Sequence, residues 1–144
     1  MVSPEVVQKR LRLLEGYLKK LRSIGQRIDL DQFLADSDTQ DIVERNLQLA
    51  IESVLDIGQH IIASSGWQVA EEYAGIFPIL ERHGVISKDL SARVFGMAGF
   101  RNLLVHEYAD IDHFQVFQIL QNHLDELGQL AEAFQQFVDS NMNK

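Results

Sequence analysis

The chain has 144 residues, 46% of them hydrophobic, no cysteine, and a formal net charge of −8 at neutral pH. This length and composition predict a single folded domain over residues 1–144 and exclude a disordered chain. The lack of cysteine excludes disulfides, thiolate metal sites and a cysteine nucleophile. The start shows no signal-peptide pattern, and no apolar run approaches the roughly 20 residues that span a bilayer. We therefore expect a cytoplasmic protein without membrane contact.

The charge is unevenly distributed along the chain. Residues 1–28 carry seven basic and two acidic side chains, whereas residues 29–144 carry six basic and nineteen acidic ones. An acidic body argues against non-specific binding of nucleic acid. A basic helix face is most often simply solvated, and the alternative is a face that contacts phosphates or an acidic partner.

The first half of the chain predicts two long helices. Ser3 and Pro4 are typical of a helix start, and an apolar row predicts an amphipathic helix to about Gln26: Val7, Leu11, Leu14, Leu18 and Leu21. Residues 29–35 predict a short helix or turn. Residues 37–39 predict the start of a second long helix, which ends near residues 64–66 and has a broad apolar face.

The second half continues the helical pattern after a predicted loop at residues 67–72. Residues 73–82 predict a third helix interrupted by Pro78 and ended by Gly84. Ser87 predicts the cap of a fourth helix that runs on through residues 101–108, with Gly96 and Gly99 allowing close helix packing.

Asp112 predicts the cap of a last long helix with this apolar stripe: Phe117, Leu120, Leu124, Leu127, Leu130, Phe134 and Val138. No strand pattern competes, so we predict an all-α antiparallel bundle of four long helices plus one or two short ones. Seams of this length often pair with a second copy, which makes a homodimer the expected state.

Residues 101–108, with the sequence RNLLVHEY, combine groups that suit phosphodiester chemistry. The guanidinium of Arg101 is suited to a phosphate, and the imidazole of His106 is a proton carrier near neutral pH. No phosphate loop, dinucleotide fingerprint or nucleophile elbow is present. The zinc-protease pattern fails because Asp110 stands where a second histidine is needed. We expect no metal and no cofactor.

The spacing within this segment restricts how its side chains cooperate. On an ideal helix Arg101 and His106 point about 140° apart, whereas Arg101 and Tyr108 share a face, as do Asn102 and His106. Either the helix ends or bends before His106, or two protomers contribute to one site. The same spacing also fits a structural role, with Arg101 in a core ion pair and His106 at a helix end.

The segment resembles the Arg-x4-His motif of HEPN domains, in the Arg-x4-His-x-Tyr form of the HepT-like (DUF86) toxins. The matching residues are Arg101, Asn102, His106 and Tyr108. Residues 44–62 also resemble the second long helix of that family, and the whole resemblance extends from about residue 6 to residue 134.

This resemblance implies a metal-independent endoribonuclease toxin of a type VII-like toxin–antitoxin module. Arg101 and His106 are then the catalytic residues of a cleft between two protomers, and Asn102 supports them by contacting and orienting His106 or by binding phosphate. The implied partner is an MntA-like nucleotidyltransferase antitoxin that transfers AMP from ATP to Tyr108.

Three basic residues of the first helix, Arg10, Lys19 and Lys20, are candidate RNA contacts. One alternative is a non-catalytic HEPN module that binds a nucleotide or the nucleotidyltransferase. Another is a plain helical dimer in which Arg101 has only a structural role.

Overall fold

A computed structural model of the protein describes residues 2–106 and 108–142, without the side chains of Tyr108 and Met142. Within these residues the chain contains α-helices and 3-10 turns and no strand, which confirms the all-α prediction. The helices are α1 (Pro4–Arg27), α2 (Leu30–Ala35), α3 (Ser37–Ser64), α4 (Ile76–Arg82), α5 (Lys88–Val94), α6 (Met97–His106), α7 (His113–Asn122) and α8 (Leu124–Met142). None of the helices described is long and apolar enough to cross a membrane.

The start of α1 follows the sequence prediction closely. The Ser3 hydroxyl accepts a hydrogen bond from the Val6 backbone amide, and Pro4 stands in the first turn, where its missing N–H is not needed. The predicted apolar row is buried, and it continues for one more turn to Ile24. This row packs α1 against α3 and α8.

α3 is the central helix of the bundle and contacts α1, α2, α4, α6, α7 and α8. Its long apolar face explains this position, because a face of that width can pack against several neighbours at once. The close approach of α4 depends on Gly58. A Cβ atom at this position would lie 2.7 Å from Ile76 Cγ2 and 3.1 Å from Leu80 Cδ1.

The predicted third helix, residues 73–82, begins with a 3-10 turn (Tyr73–Gly75) and continues as α4. Pro78 lies in the first turn of α4, where it neither breaks an internal hydrogen bond nor kinks the helix. Gly84 has φ of 77°. This conformation lets the Val85 amide donate to the Leu80 carbonyl at 2.9 Å, which ends the helix as predicted.

The structure corrects the bounds of the last two predicted helices. Ser87 caps α5 as predicted, but the helix breaks after Val94, and α6 begins at Met97. Gly96 lies in this break, consistent with its low helix propensity. The final helix breaks at His123 into α7 and α8. Its apolar stripe continues across the break, with Leu120 and Leu124 both buried, so hydrophobic periodicity alone does not reveal the break.

The predicted packing role of Gly96 and Gly99 is wrong. A Cβ atom at either position would meet no atom within 4 Å, because both glycines lie on the exposed side of the α5–α6 region. Their spacing in the sequence resembles that of packing glycines, but the helix turns this face away from the core.

Candidate active site

The motif residues Arg101, Asn102 and His106 all lie on α6, whose inner face packs against α3. That face buries Ala98, Phe100 and Leu104. The opposite face is exposed and carries a row of residues that we call the α6 outer row: Phe95 just before the helix, then Gly99, Asn102, Leu103 and His106. α6 therefore holds Arg101 and His106 on different sides, as the 140° separation predicts.

Arg101 lies between the two faces and is held by three neighbours. Its Nε donates to Glu52 Oε1 at 3.0 Å, its Nη2 lies 2.9 Å from the same oxygen, and its Nη1 donates to Asn102 Oδ1 at 3.2 Å. The ring of Tyr73 lies 5.1 Å from the guanidinium carbon. A guanidinium has five N–H donors, so two remain available for an incoming oxyanion.

The pair formed by Arg101 and Glu52 is partly buried, with side chains 17% and 25% exposed. At this burial the guanidinium keeps a fixed direction while one edge stays accessible to solvent. A guanidinium held in this way is suited to a phosphate, because less side-chain entropy is lost on binding.

His106 is the last residue of α6 and is exposed. It makes no hydrogen bond or ion pair with the described part of the chain. Asn102 lies one turn before it, but its amide oxygen accepts from Arg101. The structure therefore places Asn102 on the arginine, and the predicted contact of Asn102 with His106 is not formed among the described residues.

The side chain of Tyr108 lies outside the described part of the structure. Its backbone begins a 3-10 turn, Tyr108–Asp110, after α6 has ended at His106. Tyr108 thus belongs to this 3-10 turn and not to α6, and the prediction that its side chain shares a face with Arg101 stays a prediction. The alternative that the helix ends or bends before His106 is wrong, because α6 includes His106.

A row of polar residues on α3 faces the motif arginine and is not among the residues predicted for the site. Glu52, Asp56 and His60 follow one another at spacings of four, and the Asp56 Oδ2 accepts from Arg10 Nη1 at 3.1 Å. The signal was present in the sequence as a polar stripe that borders the broad apolar face of α3. The stripe alone does not identify the residues that pair with it, because its partners lie on α1 and α6, which only the fold brings next to α3.

The charges of this row influence one another. Burial raises the pKa of Asp56, Arg10 opposes this effect, Glu52 adds to it, and Arg101 again lowers the pKa. Arg10, Asp56, Glu52 and Arg101 therefore form a chain of charges from α1 across α3 to α6, with two neighbouring carboxylates between two guanidinium groups. Burial also lowers the pKa of His60, as do Arg10 and the N-terminal amino group.

The three candidate RNA contacts of the first helix do not lie together. Arg10 faces α3 and is bound by Asp56, whereas Lys19 and Lys20 are exposed. Nine residues separate Arg10 from Lys19, which places them on opposite sides of α1.

No group of three or more His, Asp or Glu residues in the described ranges is arranged to hold a metal ion. His113, the other histidine near the motif, has its Nδ1 2.9 Å from Glu44 Oε1 on α3. The absence of a metal requirement stays a prediction, which a chelator can test directly.

Comparison with known proteins gives a family match over most of the chain. The family model "Ribonuclease HepT-like" matches residues 14–134. The tRNA nuclease HepT of Aphanizomenon flos-aquae is 33% identical over 121 residues, which cover 83% of this chain and 80% of that protein. The mRNA nuclease HepT of Shewanella oneidensis is 27% identical over 135 residues, covering 94% of this chain and 95% of that protein.

Solved structures give the same result. The tri-AMPylated Shewanella oneidensis HEPN toxin, in complex with MNT antitoxin, matches with a TM-score of 0.84 at 25% identity, covering 93% of this chain and 99% of that one. A mutant MntA–HpeT toxin–antitoxin complex matches with a TM-score of 0.82 at 25% identity, covering 91% and 98%. From its helical architecture, the motif on α6 and these matches, the chain belongs to the ribonuclease HepT-like family.

Proposed function

We propose that this protein is a metal-independent endoribonuclease and the toxin of a toxin–antitoxin pair. The observation that carries the proposal is the arrangement on α6, where a guanidinium fixed by Glu52 keeps two N–H donors free and His106 is exposed. The names of the relatives support it, since those proteins are a tRNA nuclease and an mRNA nuclease.

In the proposed reaction His106 takes the proton from a ribose 2′-hydroxyl. The 2′-oxygen attacks the adjacent phosphorus, the bond to the 5′-oxygen breaks, and that oxygen takes a proton from water. The products are a 2′,3′-cyclic phosphate and a 5′-hydroxyl. Arg101 stabilises the negative charge that develops on the phosphoryl oxygens in the transition state. Asn102 holds Nη1 of Arg101 in place.

We infer that the functional site is composite and that the protein is a homodimer. Within one protomer, α6 holds Arg101 against α3 and directs His106 outward, so the two side chains do not converge on one phosphate. A two-fold axis beside the α6 outer row brings His106 of one protomer toward Arg101 of its partner. The exposure of Phe95 and Leu103, at 71% and 39%, supports this face as the contact.

Mixing two inactive variants tests this composite site. Arg101→Ala and His106→Ala proteins, unfolded and refolded together, form mixed dimers with one intact site. We expect the mixture to recover about a quarter of the wild-type activity, because half the dimers are mixed and each has one site of two. If both residues act within one protomer, no dimer in the mixture holds an intact site and activity does not return.

The cleavage reaction itself is tested by incubating RNA with the purified protein in the presence of EDTA. We expect cleavage by the wild type and a loss of about 100-fold or more in both Arg101→Ala and His106→Ala. Arg93→Ala and His123→Ala serve as matched controls, since both residues are exposed and lie outside α6. No cleavage by the wild type, or equal cleavage by all variants, overturns the proposal.

A second candidate function is a non-catalytic module that binds a nucleotide or a nucleotidyltransferase. The observation that favours it is the Arg101–Glu52 pair, because an arginine held by a carboxylate also suits a purely structural role. The same cleavage assay decides between the two. If Arg101 has only a structural role, we expect Arg101→Ala to lower the thermal stability of the protein, and we expect no RNA cleavage by the wild type.

We further propose that an MntA-type nucleotidyltransferase controls the protein by modifying Tyr108. The phenol oxygen of Tyr108 attacks the α-phosphorus of ATP, and pyrophosphate leaves. The added phosphate would repel an RNA phosphate near the motif. The complex of an AMPylated HEPN toxin with MNT antitoxin supports this proposal.

Intact-mass measurement after co-expression with the nucleotidyltransferase tests the modification. We expect a mass gain of one or more AMP groups that disappears in Tyr108→Phe and persists in Tyr17→Phe and Tyr73→Phe. Since the chain has three tyrosines, these variants cover every tyrosine. A mass gain that persists in Tyr108→Phe rules out this site.

A further inference from the structure

The basic residues of α1 fall into two groups that differ in their partners. Arg10 is paired with Asp56 of α3, and Arg22 with Asp125 of α8 at 3.6 Å. The other five make no ion pair or hydrogen bond with the described part of the chain, and all are exposed: Lys9, Arg12, Lys19, Lys20 and Arg27. We call these five residues the α1 outer face.

Helical geometry places these five residues on the side of α1 away from the core. The face extends over most of a helix of 24 residues, or about 36 Å. Residues 29–144 carry thirteen more acidic than basic side chains. The strip keeps a net positive charge on an otherwise acidic protein, because its five cations outnumber the two carboxylates of α1, Glu5 and Glu15.

A shallow, open depression lies at the middle of this strip. A depression of about 760 Å³ is lined by Arg12, Gly16, Lys19 and Arg22, with Glu15 as its one acidic residue. A Cβ atom at Gly16 would meet no atom within 4 Å, so the backbone is open to a close-lying ligand. The cations Arg12 and Lys19 at its edge can contact a phosphate group.

We propose that the α1 outer face binds the phosphate backbone of the RNA substrate, outside the position of cleavage. This inference rests on the proposed ribonuclease function and names a second contact for the same substrate. The proposal also changes the set of predicted RNA contacts. Arg10 is left out because Asp56 neutralises its charge. Lys19 and Lys20 stay, and Lys9, Arg12 and Arg27 are added.

The composition of the face favours RNA over an acidic protein. Protein interfaces are depleted in lysine and have an apolar centre. Here the cations are separated by Gly16 and Ser23, which offer almost no apolar surface. The exposed large apolar residues of α1, Val6 and Leu13, border the face beside Lys9 and Lys20 and do not lie at its centre.

The position of the face relative to α6 also fits this role. The chain of charges from Arg10 through Asp56 and Glu52 to Arg101 shows that α1 and the motif lie on either side of α3. An RNA strand held at Arg101 can reach the α1 outer face by crossing α3 and continuing past Arg10 around α1, because Lys19 lies on the opposite side of α1 from Arg10. Cations at the far end of the strip would then anchor the strand and raise affinity without acting on the scissile bond.

Binding of labelled transfer RNA tests the proposal, with His106→Ala as the background so that no cleavage interferes. Arg12→Gln/Lys19→Gln/Lys20→Gln removes three cations of the face and keeps good helix formers. The matched control is Arg45→Gln/Arg82→Gln/Lys88→Gln, which removes three exposed cations elsewhere. Thermal unfolding of both variants verifies that they fold.

We expect the α1 variant to bind RNA roughly tenfold more weakly at physiological salt, with the control within about twofold of the background protein. The slope of log affinity against log salt concentration should fall by about two for the α1 variant. If RNA binding weakens equally in both variants, the loss comes from the lower net charge and not from the α1 outer face. If binding is unchanged in both variants, the face does not contact the RNA. Either result overturns the proposal.

A further arm measures binding of the nucleotidyltransferase by the same two variants. If the α1 variant no longer binds the nucleotidyltransferase but still binds RNA as tightly as the background protein, the face binds an acidic protein partner, and the proposal is overturned. The binding measurement does not depend on cleavage. If the wild-type protein does not cleave RNA, the ribonuclease function is disproved, but the binding assay still shows whether the α1 outer face contacts RNA.

Discussion

Arg101 of α6 and Glu52 of α3 form a partly buried ion pair in which one carboxylate oxygen contacts two guanidinium nitrogens, at 3.0 and 2.9 Å. The pair joins residues 49 positions apart in the sequence. It orients the motif arginine before any substrate is present, and it ties α6 to the central helix. The residue that positions Arg101 is therefore as much a part of the site as the motif itself.

Replacement of Glu52 tests this positioning role. In Glu52→Gln the amide oxygen can still accept from Nε, so we expect RNA cleavage within a few-fold of wild type. Glu52→Ala frees the guanidinium and should lower kcat by about tenfold or more, with a smaller change in KM. The loss of a partly buried partner should also cost about 1–3 kcal/mol of unfolding free energy.

Asp89→Asn and Asp89→Ala are the matched controls, because Asp89 pairs with Arg93 at the surface. Surface pairs contribute about 0–1 kcal/mol, so both variants should remain close to wild type in stability and activity. Glu52→Ala with full kcat would show that Arg101 needs no support from α3.

The α6 outer row can be tested through the oligomeric state. A charge in Phe95→Asp should dissociate the homodimer at micromolar concentration and abolish cleavage, because buried unpaired carboxylates are costly at an interface. Sedimentation velocity measures the first effect and an RNA assay the second. Leu34→Asp, on α2 and 47% exposed, should remain dimeric and active. A Phe95→Asp protein that is still dimeric would place the interface on another face.

Two glycine replacements should have opposite effects on stability. Gly58→Ala places a methyl group 2.7 Å from Ile76 Cγ2, and we expect a loss of about 1–3 kcal/mol despite the better helix propensity of alanine. Gly16→Ala has no atom within 4 Å and should gain about 0.5–1 kcal/mol. Urea unfolding compares both variants with wild type. A Gly58→Ala protein as stable as wild type would mean that α4 readily moves away from α3.

His60 should make stability depend on pH. Its Nε2 accepts a hydrogen bond from the Ser3 backbone amide at 3.1 Å, which a protonated imidazole cannot do. Burial, Arg10 and the N-terminal amino group lower the pKa of His60 from 6.5. The unfolded chain therefore binds this proton more readily, so the stabilising effect is present above pH 6.5 and is lost as the pH falls below it.

The measurement compares the Tm of wild type and His60→Gln at about pH 7.5 and about pH 5.5. The glutamine side chain keeps an acceptor at every pH, so the wild type should lose more stability than the variant on acidification. A difference in Tm that does not change with pH would show that protonation of His60 is not linked to folding.

Much of the helical framework follows from local rules that act within a few residues. Ser3 and Pro4 start α1 and Ser87 caps α5 because a side-chain acceptor satisfies a free backbone amide. The apolar rows predict which faces are buried. The breaks before Met97 and at His123 were missed because a continuous apolar stripe does not require a continuous helix.

For the site, the sequence alone determined which chemical groups are present. It also determined that Arg101 and His106 point apart on α6, because a spacing of five residues on an α-helix separates two side chains by about 140°. Only the tertiary structure decided that Arg101 is held by Glu52 and Tyr73, that Arg10 is neutralised by Asp56, and that five other cations of α1 are unpaired. These partners come from helices far apart in the chain. Coulomb and hydrogen-bond energies depend on distances in space, which packing around α3 sets and which no local pattern contains.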